Sequence, residues 1–182
     1  MIMTKKKTNV KSIENTVIER HPVPVLGVDF KVKIEYKNTK ITELDVENTT
    51  IKISLPNKYK KTSNKEILDL AIDKMYEQIA KVEIERAMEK TRLMLGFAPE
   101  NYEIKKMPRV FGKCVNRNII INPDIVKYDR KLIDYVVLHQ YCHLKYKTHS
   151  KLFLKLLQKY EPDYGTYENR LLELYKNLRI NT

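Results

Sequence analysis

Three of the four histidines in the sequence, His139, His143 and His149, fall within one eleven-residue window. The fourth, His21, lies far upstream and has no companion that would give it a role. A separation of four residues puts His139 and His143 one turn apart on the same face of a helix. Two imidazoles set that way can reach one metal ion, and a third donor beyond the helix completes three protein ligands with one position open. Open three-ligand sets characterise catalytic zinc sites, whereas structural sites are closed by four. A single histidine on an apolar helix is more often a core residue; three at this spacing argue for a shared metal. Gln140 directly follows the first histidine. Its amide can hydrogen-bond but has no useful basicity, so chemistry that needs a proton acceptor there is handicapped.

The residues around the window predict the elements that hold it. Asp129 is a suitable N-cap. Leu132, Ile133, Val136, Val137 and Leu144 are spaced to bury one side of a helix that carries His139 and His143. Tyr146, Lys147 and Thr148 break away before His149 returns to the site. A second helix is expected from about Ser150 to Tyr160, stopped by Pro162, and a last one from Tyr167 to about Leu178. Lys151, Lys155 and Lys159 recur at i, i+4 along the first of these, which reads as a solvated face. Upstream, short strands are expected at Tyr102–Ile104, Arg109–Cys114 and Asn118–Asn122. In the last, Ile119, Ile120 and Ile121 suggest either a strand buried on both faces or a cleft edge that pairs with an extended peptide.

A long helix of about thirty residues is expected from a Ser63/Glu66 capping box to Gly96, which suits a C-terminal stop. Its apolar stripe loses heptad register at Val82 and Ile84, which favours core packing over a coiled coil. Before it, Val28 to Tyr36 alternates strictly, Ile41 to Val46 less so, and Ile51 to Leu55 again, ended by Pro56. These predict a three-stranded antiparallel meander, with Pro22 and Pro24 in an extended lead-in. Residues 1–20 are polar and expected to be loose. The division is therefore a terminus over 1–20, the meander over 21–60, and the metal-binding region over 61–182, with meander and metal region forming one compact unit.

The 182 residues carry a net charge of +12, from 35 lysines and arginines against 23 acids. Such a balance raises a nucleic-acid partner, although the lysines are spread through every segment. No apolar run is long enough to cross a bilayer, and no apolar stretch follows Lys5–Lys7 to make a secretion signal. Cys114 and Cys142 are expected to be thiols in a reducing cytoplasm. Cys142, three residues after His139, is expected to face the core rather than the metal.

The run Asp134-Tyr135-Val136-Val137-Leu138-His139-Gln140-Tyr141-Cys142-His143-Leu144, followed by His149-Ser150, Phe153 and Pro162-Asp163-Tyr164, resembles the YgjP-like metal-dependent hydrolases. These are small zincins related to the SprT-like and WLM proteases. Phe111-Gly112-Lys113-Cys114 and the strand from Ile119 to Asn122 resemble further segments of that family, so the likeness spans about Pro108 to Tyr164. It implies an α+β, zincin-like fold: meander, long helix, small sheet, motif helix and two C-terminal helices. It also implies one Zn2+ per chain on His139, His143 and His149, and hydrolysis of a peptide or protein substrate. The family motif is H-E-x-x-H, in which the glutamate is the general base. Here Gln140 stands in its place and Tyr141 replaces the usual leucine.

The expectation that follows is a metallopeptidase-type hydrolase, inactive or strongly impaired by Gln140. The alternative is a metal-stabilised binding module without turnover, on nucleic acid or a nucleoprotein. A glutamine at 140 fits a natural pseudoenzyme and also a substitution made to trap an inactive enzyme. Tyr128, Tyr135, Tyr141 and Tyr164 are all candidates to stabilise an oxyanion.

Overall fold

A computed structural model describes residues 18–61 and 64–180. The expected loose terminus over 1–20 lies largely outside the described residues, as does Ser63 of the expected capping box. Over the described residues the chain is mixed α and β, with two small sheets and four α-helices.

The first sheet contains β1 (Ile18–Val25), β2 (Val28–Lys37), β3 (Glu43–Glu47) and β4 (Thr50–Pro56), in the order β1-β2-β4-β3. The three expected strands are present, but they do not form an antiparallel meander. β2 and β4 are parallel neighbours, and β3 lies outside β4. Burial explains the order. Val32, Ile34 and Tyr36 of β2 and Ile51, Ile53 and Leu55 of β4 are buried, whereas every residue of β3 is exposed. The two strands with apolar faces take the centre, and the polar one takes an edge. The expected lead-in with Pro22 and Pro24 is itself a strand, β1, on the opposite edge. Proline is tolerated there because it has no ladder donor to lose. The tight turn Leu26-Gly27 between β1 and β2 has φ of 50° and 80°. Its amides donate to the carbonyls of Val126 and Lys127, which ties this sheet to the segment before the motif helix.

α1 (Asn64–Leu95) is as long as expected. Leu68, Met75, Ala80, Ile84, Ala87 and Met88 bury one stripe, while Val82 is 65% exposed, so the helix is a core element. The second sheet has the order β5-β7-β6, from β5 (Asn101–Ile104), β6 (Gly112–Val115) and β7 (Asn118–Ile121). β5 runs parallel to β7, and β6 forms an antiparallel hairpin with it. Asn122 closes this sheet: its side-chain amide donates to the carbonyls of Met107 (2.8 Å) and Val110 (3.0 Å), and its side-chain oxygen accepts from the Asp124 amide.

α2 (Arg130–Lys145) carries the histidine pair and is capped as expected by Asp129, whose carboxylate accepts from the Leu132 amide. Nine of its sixteen residues are buried, so the helix has almost no freedom to rotate. α3 (Lys151–Tyr160) and α4 (Tyr164–Ile180) follow, and α4 begins one turn earlier than the expected Tyr167. Charges hold α2 at its flank. Glu83 of α1, only 6% exposed, accepts from Arg130 (2.6 and 3.0 Å) and Arg86 (3.0 Å). Asp134 accepts from Arg86 and Lys90, both at 2.7 Å. Arg170 of α4 pairs with Asp129.

The hydrogen bond from Arg130, and then that from Arg86, holds the Glu83 carboxyl below its ordinary range. A depressed acid contributes stability above its unfolded value and loses it as pH falls through the folded one. Glu83→Gln is therefore expected to cost about 1–3 kcal/mol near neutral pH, as for lost charged hydrogen bonds. The gap from wild type should close as pH falls below 4.5, the unperturbed value of that carboxyl. Urea unfolding of both chains across pH measures this, and a gap that does not depend on pH would refute it.

Candidate metal centre

α2 presents His139 and His143 from its half-buried edge, and His149 comes back to them from the loop before α3. The His149 Nε2 atom lies 3.1 Å from that of His139 and 3.2 Å from that of His143. Four-coordinate zinc bound at about 2.0–2.1 Å sets its nitrogen ligands roughly 3.3 Å apart. The three donors thus already stand close to the spacing one ion requires, and they can hold a metal ion. Among the described residues no other histidine, cysteine or carboxylate cluster does so.

The surroundings prepare the rings for this. Burial, reinforced by His143 and His149, pushes His139 down to about 3, so its ring is neutral at physiological pH. His143 is also lowered by burial, opposed by its bond to the Tyr146 carbonyl. That bond is 3.1 Å from Nδ1. With Nδ1–H donating to that carbonyl, the His143 lone pair is at Nε2, the atom that lies beside His149 Nε2. Phe153, fully buried, packs its ring 4.7–5.1 Å from all three imidazoles. Ser150 fixes the approach of His149: it N-caps α3 by accepting from the Phe153 amide at 3.3 Å.

The histidines open into a cavity of about 450 Å3. Gln140 lines it and is 7% exposed. Gly112 of β6 lies against it: a Cβ there would come within 2.9 Å of the Gln140 Cγ and Nε2 atoms. The side chain at 140 is therefore set between α2 and β6, with glycine giving it room.

The sequence model of a family described as YgjP-like, metallopeptidase domain, matches residues 2–173. The chain belongs to the YgjP-like metallopeptidase family. The match extends well beyond the motif region, taking in the first sheet and α1. Among solved structures, the metallopeptidase zymogen abylysin of Pyrococcus abyssi is similar at 21% identity and a TM-score of 0.45, over 50% of this chain and 92% of that one. The zymogen jannalysin of Methanocaldococcus jannaschii is similar at 22% identity and the same TM-score, over 50% and 88%. No curated protein matches the chain.

Within this YgjP-like domain the other expected residues divide clearly. Ile119, Ile120 and Ile121 do not form a cleft edge. They make up the central strand β7, with β5 and β6 hydrogen-bonded on either side, so no peptide can pair with their backbone. The free edge beside the histidines is β6. Of the four tyrosines, only Tyr135 lines the cavity, and its buried hydroxyl has no hydrogen-bond partner among the described residues. Tyr141 instead donates to the Met88 carbonyl at 3.1 Å and serves the contact between α1 and α2. Tyr128 packs edge-on against Phe111. Cys142 is fully buried in the core, as expected, and burial pushes its thiol up to about 12. Lys151, Lys155 and Lys159 are exposed. Sequence reasoning missed Gly112 as the neighbour of Gln140, and Lys113, Lys147, Glu168 and Tyr175 as lining residues. Gly112 belonged to a segment singled out by resemblance, but nothing in its spacing revealed the contact.

Gly112→Ala should force the side chain at 140 aside. A loss of about 1 kcal/mol or more is expected for a methyl inserted into this packed contact. Denaturant unfolding reads it; a variant as stable as wild type would mean that Gln140 yields freely and is not held by β6.

Proposed function

We propose that the chain is a zinc-dependent hydrolase of peptide bonds, with one zinc per chain on His139, His143 and His149 and its turnover limited by Gln140. The convergence of three imidazole nitrogens at one cavity is the observation that carries this reading, together with membership of a metallopeptidase family. Bound zinc supplies a water of near-neutral pKa and polarises the scissile carbonyl. The chain's residues supply the rest. Gln140, at the position of the general base, can orient the water through its side-chain oxygen but cannot take the proton.

Substrate is held along β6. The Asn122 amide donates to the Phe111 carbonyl, and antiparallel pairs alternate, so the backbone groups of Gly112 and Cys114 point away from β7. Both residues line the histidine cavity. An extended peptide added to that edge would be held by main-chain hydrogen bonds with its scissile bond beside the histidines. The unpaired thiols Cys114 and Cys142 suit a reducing compartment such as the cytoplasm.

A second reading keeps the metal and drops the turnover: a binding module that retains peptide or another partner, nucleic acid included. Gln140 is the observation that favours it. Casein digestion by the zinc-loaded chain, as wild type and as Gln140→Glu, separates the two. Restoring the carboxylate should raise turnover by about 10²- to 10⁴-fold, the usual worth of general acid–base catalysis. If the glutamate chain is as inert as wild type on casein and on unstructured peptides, the hydrolase reading fails and the binding module stands.

A further inference from the structure

Gln140 cannot accept a proton, yet the cavity it lines contains one carboxylate. Glu168, on the first half of α4, lines that cavity together with the histidines and is its only acidic residue among the described residues. Four further observations bear on it. Glu168 takes part in no ion pair among the described residues, in a chain where most buried or half-buried acids of the same region are claimed: Glu83 by Arg130, Asp134 by Arg86, Asp129 by Arg170. Burial first, and then the charge of Glu168, pushes up the Tyr135 hydroxyl, which is buried without a partner among the described residues on the same face of α2 as His139, one turn earlier. Tyr167, its neighbour in sequence, stacks on Tyr135 with ring centroids 5.3 Å apart, which fixes α4 against the site. Finally, Glu168 is not among the groups whose donor atoms close on one metal position, so it stands beside the three histidines rather than among the ligands.

We propose that Glu168 is the proton acceptor for the turnover that remains with glutamine at 140. This rests on the hydrolase reading and names a second residue for it. A water oxygen bonds to the scissile carbonyl carbon, and one of its protons passes to the Glu168 carboxylate. The carbon–nitrogen bond then breaks, and the proton held by Glu168 goes to the leaving nitrogen. The products are a carboxylic acid and an amine, and Glu168 is returned as carboxylate.

The test uses the full zinc-loaded chain in four forms: wild type, Glu168→Gln, Gln140→Glu and the double variant. Turnover of a quenched fluorescent peptide cleaved by Gln140→Glu is measured, with zinc affinity by chelator competition. In the wild-type background, Glu168→Gln should lower kcat by about 10²-fold at unchanged KM. With glutamate restored at 140, the same change should cost no more than about threefold, because the second acceptor is no longer needed. Zinc affinity should stay within about tenfold in both backgrounds, since Glu168 is not a ligand. An equal loss of kcat in both backgrounds would make Glu168 structural, and a larger loss of zinc would make it a ligand; either overturns the proposal. So does a wild type that is inert while Gln140→Glu turns over, and in that case the hydrolase reading survives. Failure of all four forms removes both.

Discussion

Three imidazole nitrogens about 3 Å apart can serve one metal ion only if their lone pairs are free of protons and their rings are kept in place. Protonated rings would repel one another, and free rings would turn to water. Most of the fold around the site serves that constraint. Burial removes the charge from His139, the Tyr146 carbonyl sets the tautomer of His143, and Phe153 backs all three rings. Two histidines come from a helix with nine buried residues, so their separation is set by core packing rather than by side-chain torsion.

The same helix explains the division of the remaining charges. Glu83 and Asp134 draw three basic residues to the seam between α1 and α2, and Arg170 joins α4 to the helix cap at Asp129. Glu83 is buried, so its pairs bear on stability; those of Asp134 and Asp129 lie at partly exposed positions and act on geometry more than on total stability. They leave Glu168 unclaimed on the cavity side. The β6 edge completes the site from the other flank, and the absence of a side chain at Gly112 lets strand and motif helix approach at Gln140.

The cluster of His139, His143 and His149 was legible because its signal is local. Spacing on one helix, a cap at Asp129 and a return at His149 are all read within about twenty residues. The long helix and its buried stripe were legible for the same reason, since period and length do not depend on partners. Strand neighbours were not. Alternation in β2 and β4 shows which faces are buried, but it does not say which strands pair, and a polar β3 excluded to the edge turned an expected meander into a mixed sheet. The three isoleucines showed the same limit: Ile119 and Ile121 bury one face while Ile120 on the other is only half-buried, and centre or edge depended on β5 and β6. Gly112 against Gln140, and Glu168 in the same cavity as the histidines, bring together distant segments with no periodic signature.

The central claim is that the three histidines hold a metal ion in the folded chain. Elemental analysis of the full chain, purified without chelator or added metal, tests it most directly, with His139→Ala prepared alongside. About one zinc per chain in the wild type and almost none in the variant is the predicted result, as expected when a site loses one of three ligands. A wild type without metal, indistinguishable from the variant, would contradict the account.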